Sequence, residues 1–223
     1  MSKNNNKIIT LIGNPNVGKS SIFNYLTGLN QHTGNWTGKT VESAVGKYKY
    51  NNKEYTIIDL PGTYSLMSVS KEEEVSTDFI CFGKYDLAVV VIDATMLERN
   101  FNLVVQTLQA CNNVIICVNL MDEAIKKGIK INLKKLSEIF KVPVVGTSIN
   151  DKKSLEKLVK EIEQSCIKKN NNNNNYMVTY NSKIEDVIKK VSKILLKHTT
   201  KDNVRFLSNM LLCNDKEFNK KVF

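Results

Sequence analysis

Short apolar runs alternate along the first 165 residues with stretches whose apolar positions recur three and four apart. The runs are "KIITLI" (7–12), "VGKYKY" (45–50), "EYTIID" (54–59), "DLAVVVID" (86–93), "VIICVN" (114–119) and "VPVVGT" (142–147). Several are continuous β-branched segments, the pattern of strands covered on both faces rather than half-exposed ones. Between them, Ile22, Phe23 and Leu26 fall at helical spacing. So do Leu97, Phe101, Val104, Val105 and Leu108, and again Leu155, Leu158, Val159 and Ile162. This alternation predicts a three-layer α/β fold with a mostly parallel sheet.

The pattern breaks near residue 168. Residues 170–175 are six consecutive asparagines, which bury no apolar area and have poor helix propensity, so 169–176 reads as a solvated linker. Helical spacing then returns in Ile184, Val187, Ile188, Val191, Ile194 and Leu195, and a further helix begins with Phe206, Met210 and Leu211. Two short amphipathic helices need a surface to pack on. The expected organisation is an α/β domain over 1–168, the linker, and a partial, truncated helical domain over 177–223.

The chemistry lies where strands should end. "GNPNVGKS" (13–20) follows the first strand and opens the first helix, matching G-x-x-x-x-G-K-[ST] in its proper context. Gly13, Asn14, Pro15, Asn16, Val17, Gly18, Lys19, Ser20 and the adjoining Ser21 are the candidate phosphate cradle. Its backbone N–H groups and helix dipole favour an anion, Lys19 bridges phosphate oxygens, and the Ser20 hydroxyl is a magnesium ligand. "DLPG" (59–62) places Asp59 at a strand's C-terminal end, suited to hold Mg2+, and lets the Gly62 N–H approach a γ-phosphate. "NLMD" (119–122) supplies Asn119, Leu120, Met121 and Asp122. The Asp122 carboxylate suits the two donors of guanine, and adenine would leave it underpaired. "GTSI" adds Thr147, Ser148 and Ile149, with a backbone N–H near Ser148 and Ile149 for guanine O6, although Ile149 stands where a small residue is usual.

In this order and spacing the four stretches resemble a Ras-like GTPase domain. Asp59, Leu60, Pro61, Gly62 and Thr63 then form switch II, with Thr63 where Ras-type proteins carry a water-orienting glutamine. No arginine finger is evident, since Arg99 and Arg205 are both distant along the chain. Switch I falls in Gly38, Lys39, Thr40, Val41 and Glu42, with Thr40 a second magnesium ligand from a mobile loop. Lys19 and Thr40 are candidate catalytic residues. His32, in the same mobile loop, is read as a solvated histidine rather than a base. The acidic run "KEEEVSTD" (71–78) is read as the exposed start of a helix, where carboxylates suit the dipole.

Asn16 is not required by a phosphate cradle. "GNW", "GKTVE", "DLPGTYSL", "EEEVSTDFI", "VVVIDATMLERNFNL" and "RFLSNMLLCND" together resemble the cytosolic N-terminal domain of the ferrous iron transport protein B family, from Ile8 to Asp215. That resemblance implies a slow, potassium-activated GTPase followed by a small helical domain and a polytopic membrane region. It implies that Asn16 offers its side-chain oxygen to K+, completed by carbonyls at Gly34 and Trp36, in place of an arginine finger. That makes Asn16 a third candidate catalytic residue; the alternative is that it only braces its own loop. For the acidic run 71–78 the resemblance offers an iron-contact face as the alternative reading. Mg2+, K+ and GTP or GDP are the implied cofactors and substrate. The implied partners are the membrane region of the same polypeptide, small accessory cytosolic proteins and further copies of the chain. The implied location is the cytoplasmic face of the cell membrane.

Composition narrows the alternatives. The net charge of +10 comes with 30 lysines among 32 basic residues, spread rather than massed with aromatics, so nucleic acid is not expected. The longest apolar runs fall far short of the roughly 20 residues of a membrane helix, and the polar start "MSKNNNK" is no secretory signal. Five cysteines without a CxxC pair read as reduced thiols, with Cys111 and Cys117 in or beside an apolar strand. A soluble GTPase acting on ribosomes or RNA shares the "GNPNVGKS" loop and remains the rival reading, though no KH-type loop accompanies it. A nucleotide-binding switch with negligible hydrolysis is the third.

Overall fold

The computed structural model describes residues 6–28, 31–34, 43–67, 70–167, 178–198, 203–213, 218, 219 and 221. In chain order these give β1 (Lys7–Gly13), α1 (Lys19–Thr27), β2 (Gln31–Gly34), β3 (Ser43–Tyr50), β4 (Lys53–Asp59), α2 (Lys71–Phe82), β5 (Leu87–Asp93) and α3 (Leu97–Ala110). There follow β6 (Val114–Asn119), α4 (Met121–Lys126), α5 (Leu133–Phe140), β7 (Val144–Gly146), α6 (Lys152–Ile167), α7 (Ser182–Leu195) and α8 (Val204–Leu212). The strands form one seven-stranded sheet in the order β2-β3-β4-β1-β5-β6-β7. β4, β1, β5, β6 and β7 run parallel, while β3 pairs antiparallel with β4 and β2 antiparallel with β3.

Period-two alternation divides the central strands between two cores. Ile12, Ile58, Val90, Ile92, Ile116 and Val118 point to the face covered by α2, α3 and α8. Their chain neighbours Leu11, Ile57, Val89, Val91, Ile115 and Cys117 point to the face covered by α1 and α6. This two-sided burial explains why the strands read as continuous apolar runs. Cys111 and Cys117 are fully buried, and burial lifts both thiols to about 12, so they are inert core residues.

β3 and β4 join through Asn51 and Asn52, both at positive φ (48° and 59°), as a two-residue hairpin turn matched to strand twist requires. Across that hairpin Tyr48 stacks on Tyr55, with ring centroids 4.9 Å apart. The expected strand over 142–147 is shorter, Val144–Gly146. The elements without a long repeat to announce them are the edge strand β2 and the short helices α4 and α5.

α7 and α8 do find a surface. Phe206, Leu207 and Met210 of α8 and Leu195 of α7 join the α2–α3 core, and Ser192 and Ser208 hydroxyls meet at 2.8 Å between the two helices. Arg205 forks onto the Glu185 carboxylate at 2.8 and 2.7 Å. The residues expected to form the linker lie outside the described ones.

The hairpin turn gives a first prediction. Asn52→Gly should be neutral or stabilising, whereas Asn52→Val should cost about 1–2 kcal/mol, since a β-branched side chain resists left-handed backbone. Urea denaturation of the two variants checks it.

Candidate functional site

The C-terminal ends of β1, β4, β6 and β7 open on one edge of the sheet, so the loops that follow them converge. After β1 the backbone turns through Asn16 at φ 66° and Gly18 at φ 81° before α1 begins at Lys19. Gly18 is required twice, for its left-handed backbone and because a Cβ would lie 2.3 Å from the Asn119 amide nitrogen. The Asn14 side chain is buried in this loop, whereas Asn16 is exposed and makes no side-chain hydrogen bond among the described residues. The left-handed backbone at Asn16 suits an asparagine in its own right, while its side-chain amide is left open to another partner.

Asn119 ends β6 fully buried and ties three loops together. Its Nδ2 donates to the Val17 carbonyl at 3.0 Å, and its Oδ1 accepts from the Thr147 hydroxyl at 3.0 Å. The Thr147 N–H donates to the Val118 carbonyl at 2.8 Å, and the Thr147 carbonyl accepts from Met121 N–H at 3.1 Å. Leu120, at φ 61°, turns the chain so that Asp122 sits in the first turn of α4. The Ser148 side chain and the Asn150 amide (3.4 Å), with N–H groups of the α4 first turn, hold the Asp122 carboxyl below its ordinary pKa. The Ser148 N–H is occupied by the Ser154 hydroxyl at 3.1 Å, so of the two expected donors to guanine O6 only Ile149 has its amide unengaged among the described residues. The Ile149 side chain is exposed.

The loop after β4 leans on the phosphate loop. Leu60 N–H donates to the Leu11 carbonyl at 3.1 Å and Thr63 N–H to the Gly13 carbonyl at 3.0 Å. A Cβ at Gly62 would sit 3.2 Å from Pro15, so the two backbones are in close contact. Lys19 Nζ is bonded to Asp59 Oδ1, both side chains being nine-tenths buried. Burial lifts the Asp59 carboxyl above its ordinary pKa against the opposing pull of Lys19 and the Ser20 hydroxyl. A hydroxyl beside a carboxylate is a hard-oxygen donor set, and Ser20 with Asp59 fits a magnesium ion. Thr63 is fully buried, and its hydroxyl turns inward to the Ser65 carbonyl at 2.5 Å, with Glu73 Oε1 at 3.3 Å.

Of the other expected site residues, Gly34 closes β2, where it pairs with Ser43. Trp36, Gly38, Lys39, Thr40, Val41 and Glu42 lie outside the described residues. His32 pairs through β2 with Val45. The acidic run forms the start of α2, with Ser70 as its N-cap, and Lys221 bonds to Glu74 and Asp78. Arg99, remote in sequence, lies over the Tyr64 ring with its guanidinium carbon 4.6 Å from the centroid. Gln106, which no motif marks, bonds to Ser65 and Leu66. The available signal was the helical spacing of the polar positions Arg99, Asn102 and Gln106.

Residues 7–162 match the family model described as ferrous iron transport protein B. The chain belongs to that family. It is 38% identical over 207 residues to an Fe(2+) transporter FeoB of Staphylococcus aureus, covering 92% of this chain and 30% of the relative. A Campylobacter jejuni Fe(2+) transporter FeoB is 43% identical over 154 residues, 69% of this chain and 25% of that one. The chain thus spans less than a third of the relatives it matches. Among solved structures, the cytosolic domain of the T. maritima FeoB iron transporter superposes in a GDP form (TM-score 0.84, 34% identity, 97% of this chain and 85% of that one). Its GMPPNP form gives TM-score 0.85 at 34% identity, covering 97% and 84%. The fold is that of the Ras-like P-loop GTPase domain of FeoB proteins. Among the described residues, no helix is long and apolar enough to cross a membrane.

Asn119→Ala would leave the Val17 carbonyl and the Thr147 hydroxyl buried without these partners. The FeoB-like domain should lose about 3 kcal/mol of stability without nucleotide, read from urea denaturation.

Proposed function

We propose that this chain binds and hydrolyses GTP as the cytoplasmic-side G domain of a membrane ferrous iron transporter, gating or driving passage of Fe(II). The observation that carries the reading is the Asn119 bridge, which holds a phosphate loop and a guanine-selecting carboxylate in one frame. A P-loop alone would suit many nucleoside triphosphates. Asp122 in the first turn of α4 is the element that prefers guanine, because its carboxylate needs two donors from the base. Membership of an iron transporter family, and relatives solved with GDP and GMPPNP, support the assignment.

On this reading Lys19 must leave Asp59 when a nucleotide arrives. The phosphates offer Lys19 more negative charge than one carboxylate, and its departure leaves Asp59 available beside Ser20. Ser20, Asp59 and, outside the described residues, Thr40 would hold Mg2+, which neutralises phosphate charge. Asn16 would hold K+ together with carbonyls at Gly34 and Trp36, supplying the positive charge that an arginine provides elsewhere. The exposed Asn16 amide, unengaged among the described residues, fits that role. Thr63, facing inward, does not orient the attacking water through its hydroxyl.

Two outcomes are expected. GTP turnover should be at least about tenfold faster in KCl than in NaCl, a margin of about 1.4 kcal/mol in the barrier, and Asn16→Ala should remove that difference while GDP still binds. Equal rates in the two salts would sink the potassium role. The ratio of GDP to IDP affinities, in which the shared phosphates cancel, should be flat between about pH 5 and pH 8 when measured with fluorescent analogues. The Asp122 pKa is depressed, so protons compete with the guanine amino group only below the ordinary carboxylate range, and the ratio should fall only under about pH 4.

A further inference from the structure

The segment from Leu60 to Met67 contains no helix or strand, so its backbone is placed by individual bonds. α2 supplies some of them: the Ser76 hydroxyl donates to the Pro61 carbonyl at 2.8 Å and the Thr77 hydroxyl to the Leu66 carbonyl at 3.1 Å. α2, however, is the element that follows this stretch along the chain, so its bonds to the loop are local ones. α3 is different. Leu103, Val104 and Leu108 bury it in the core against the central strands. A bond from α3 therefore refers the loop to the sheet, and with it to the phosphate loop.

Gln106 makes the firmest such bond. Its Oε1 accepts from the Leu66 N–H at 2.6 Å and from the Ser65 hydroxyl at 3.1 Å. A backbone N–H only donates, so the amide oxygen and not its nitrogen must face the loop. On the same helical face Asn102 Nδ2 reaches the Tyr64 carbonyl at 3.5 Å, and Arg99 lies over the Tyr64 ring. Two residues before Tyr64, the Gly62 N–H has no partner among the described residues and is the group expected to meet a γ-phosphate. Hydrogen bonds to phosphate tolerate only a few tenths of an ångström, so small errors in loop position matter.

We propose that Gln106 is a positioning residue for GTP hydrolysis: from α3 it fixes the Ser65–Leu66 backbone and thereby the approach of Gly62 to the terminal phosphate. The inference rests on the GTPase reading above. It requires an acceptor at this position and nothing else from the amide.

Gln106→Met keeps the shape and removes the acceptor, whereas Gln106→Glu keeps an oxygen that both donors can use. At saturating GTP, single-turnover hydrolysis by Gln106→Met should fall about tenfold. Its affinity for GDP should stay within about twofold, since GDP lacks the phosphate that Gly62 meets. Gln106→Glu should recover most of the rate. Hydrogen exchange at the amides of Tyr64–Met67 should quicken in the Met variant and not in the Glu variant. A Met variant that hydrolyses GTP at the parent's rate would overturn the proposal, and so would equal slowing in both variants. A parent protein that binds GDP yet leaves GTP intact would instead remove the hydrolysis reading itself, a result visible before any variant is made.

Discussion

The site depends on one buried amide. Asn119 stands at the end of β6, paired with Asp93 of β5 and one residue past the last β7 pair, Val118 with Gly146. Its donor holds the phosphate loop through the Val17 carbonyl, and its acceptor holds the loop after β7 through Thr147. The Thr147 hydroxyl also lies 3.3 Å from the Cys117 thiol, one more polar group drawn into the same dry pocket. In a low-dielectric interior such a set is strong when complete and costly when one member is lost. The glycine at position 18 follows from this demand, because any side chain there would collide with the amide that organises the loops.

Two carboxylates at the same edge are tuned in opposite directions. Asp59 is lifted by burial and shares its charge with Lys19, so each acts as the other's counter-ion. A pair of this kind is poor evidence for stability, because desolvating both charges offsets much of their attraction. On the proposed reading its sense is exchange: each group needs a partner, and each would have a better one in a nucleotide with its metal. Asp122 is surrounded instead by donors that favour its ionised form. Its environment keeps it charged, as the proposed contact to a base needs, and among the described residues no ion pair competes for it. The two ends of the proposed ligand thus meet different physics, partner exchange at the phosphates and a preset acceptor at the base.

Much of this was legible in the sequence because it is local. Phosphate and base loops are encoded within a few consecutive residues, and the strands that carry them are long apolar runs buried on both faces. Elements too short to show a period were not legible: β2 has four residues and α5 eight. Non-local pairings were the other blind spot. Arg99 is 35 residues from Tyr64 along the chain, yet β5 lies beside β1 and returns α3 to the loop after β4. Gln106 lies 40 residues from Leu66 and carries no motif. Ser148 could be placed in the base loop by its motif, but that its N–H is already taken by Ser154 depends on how the first turn of α6 folds back.

The same geometry constrains how the loop after β4 can move. One side is tied to α2, whose Glu74 and Asp78 are bonded to Lys221 near the end of the chain, and whose Phe82 packs on Phe218. The other side is tied to α3, which shares a buried core with Phe206, Leu207 and Met210 of α8. Packed side chains of this kind shift as bodies rather than stretch. A displacement of Ser65 and Leu66 therefore either breaks the Gln106 bonds or carries α3 with it, and α3 cannot move without repacking α8. The loop proposed to face the phosphates and α8 are thus two sides of one core among the described residues.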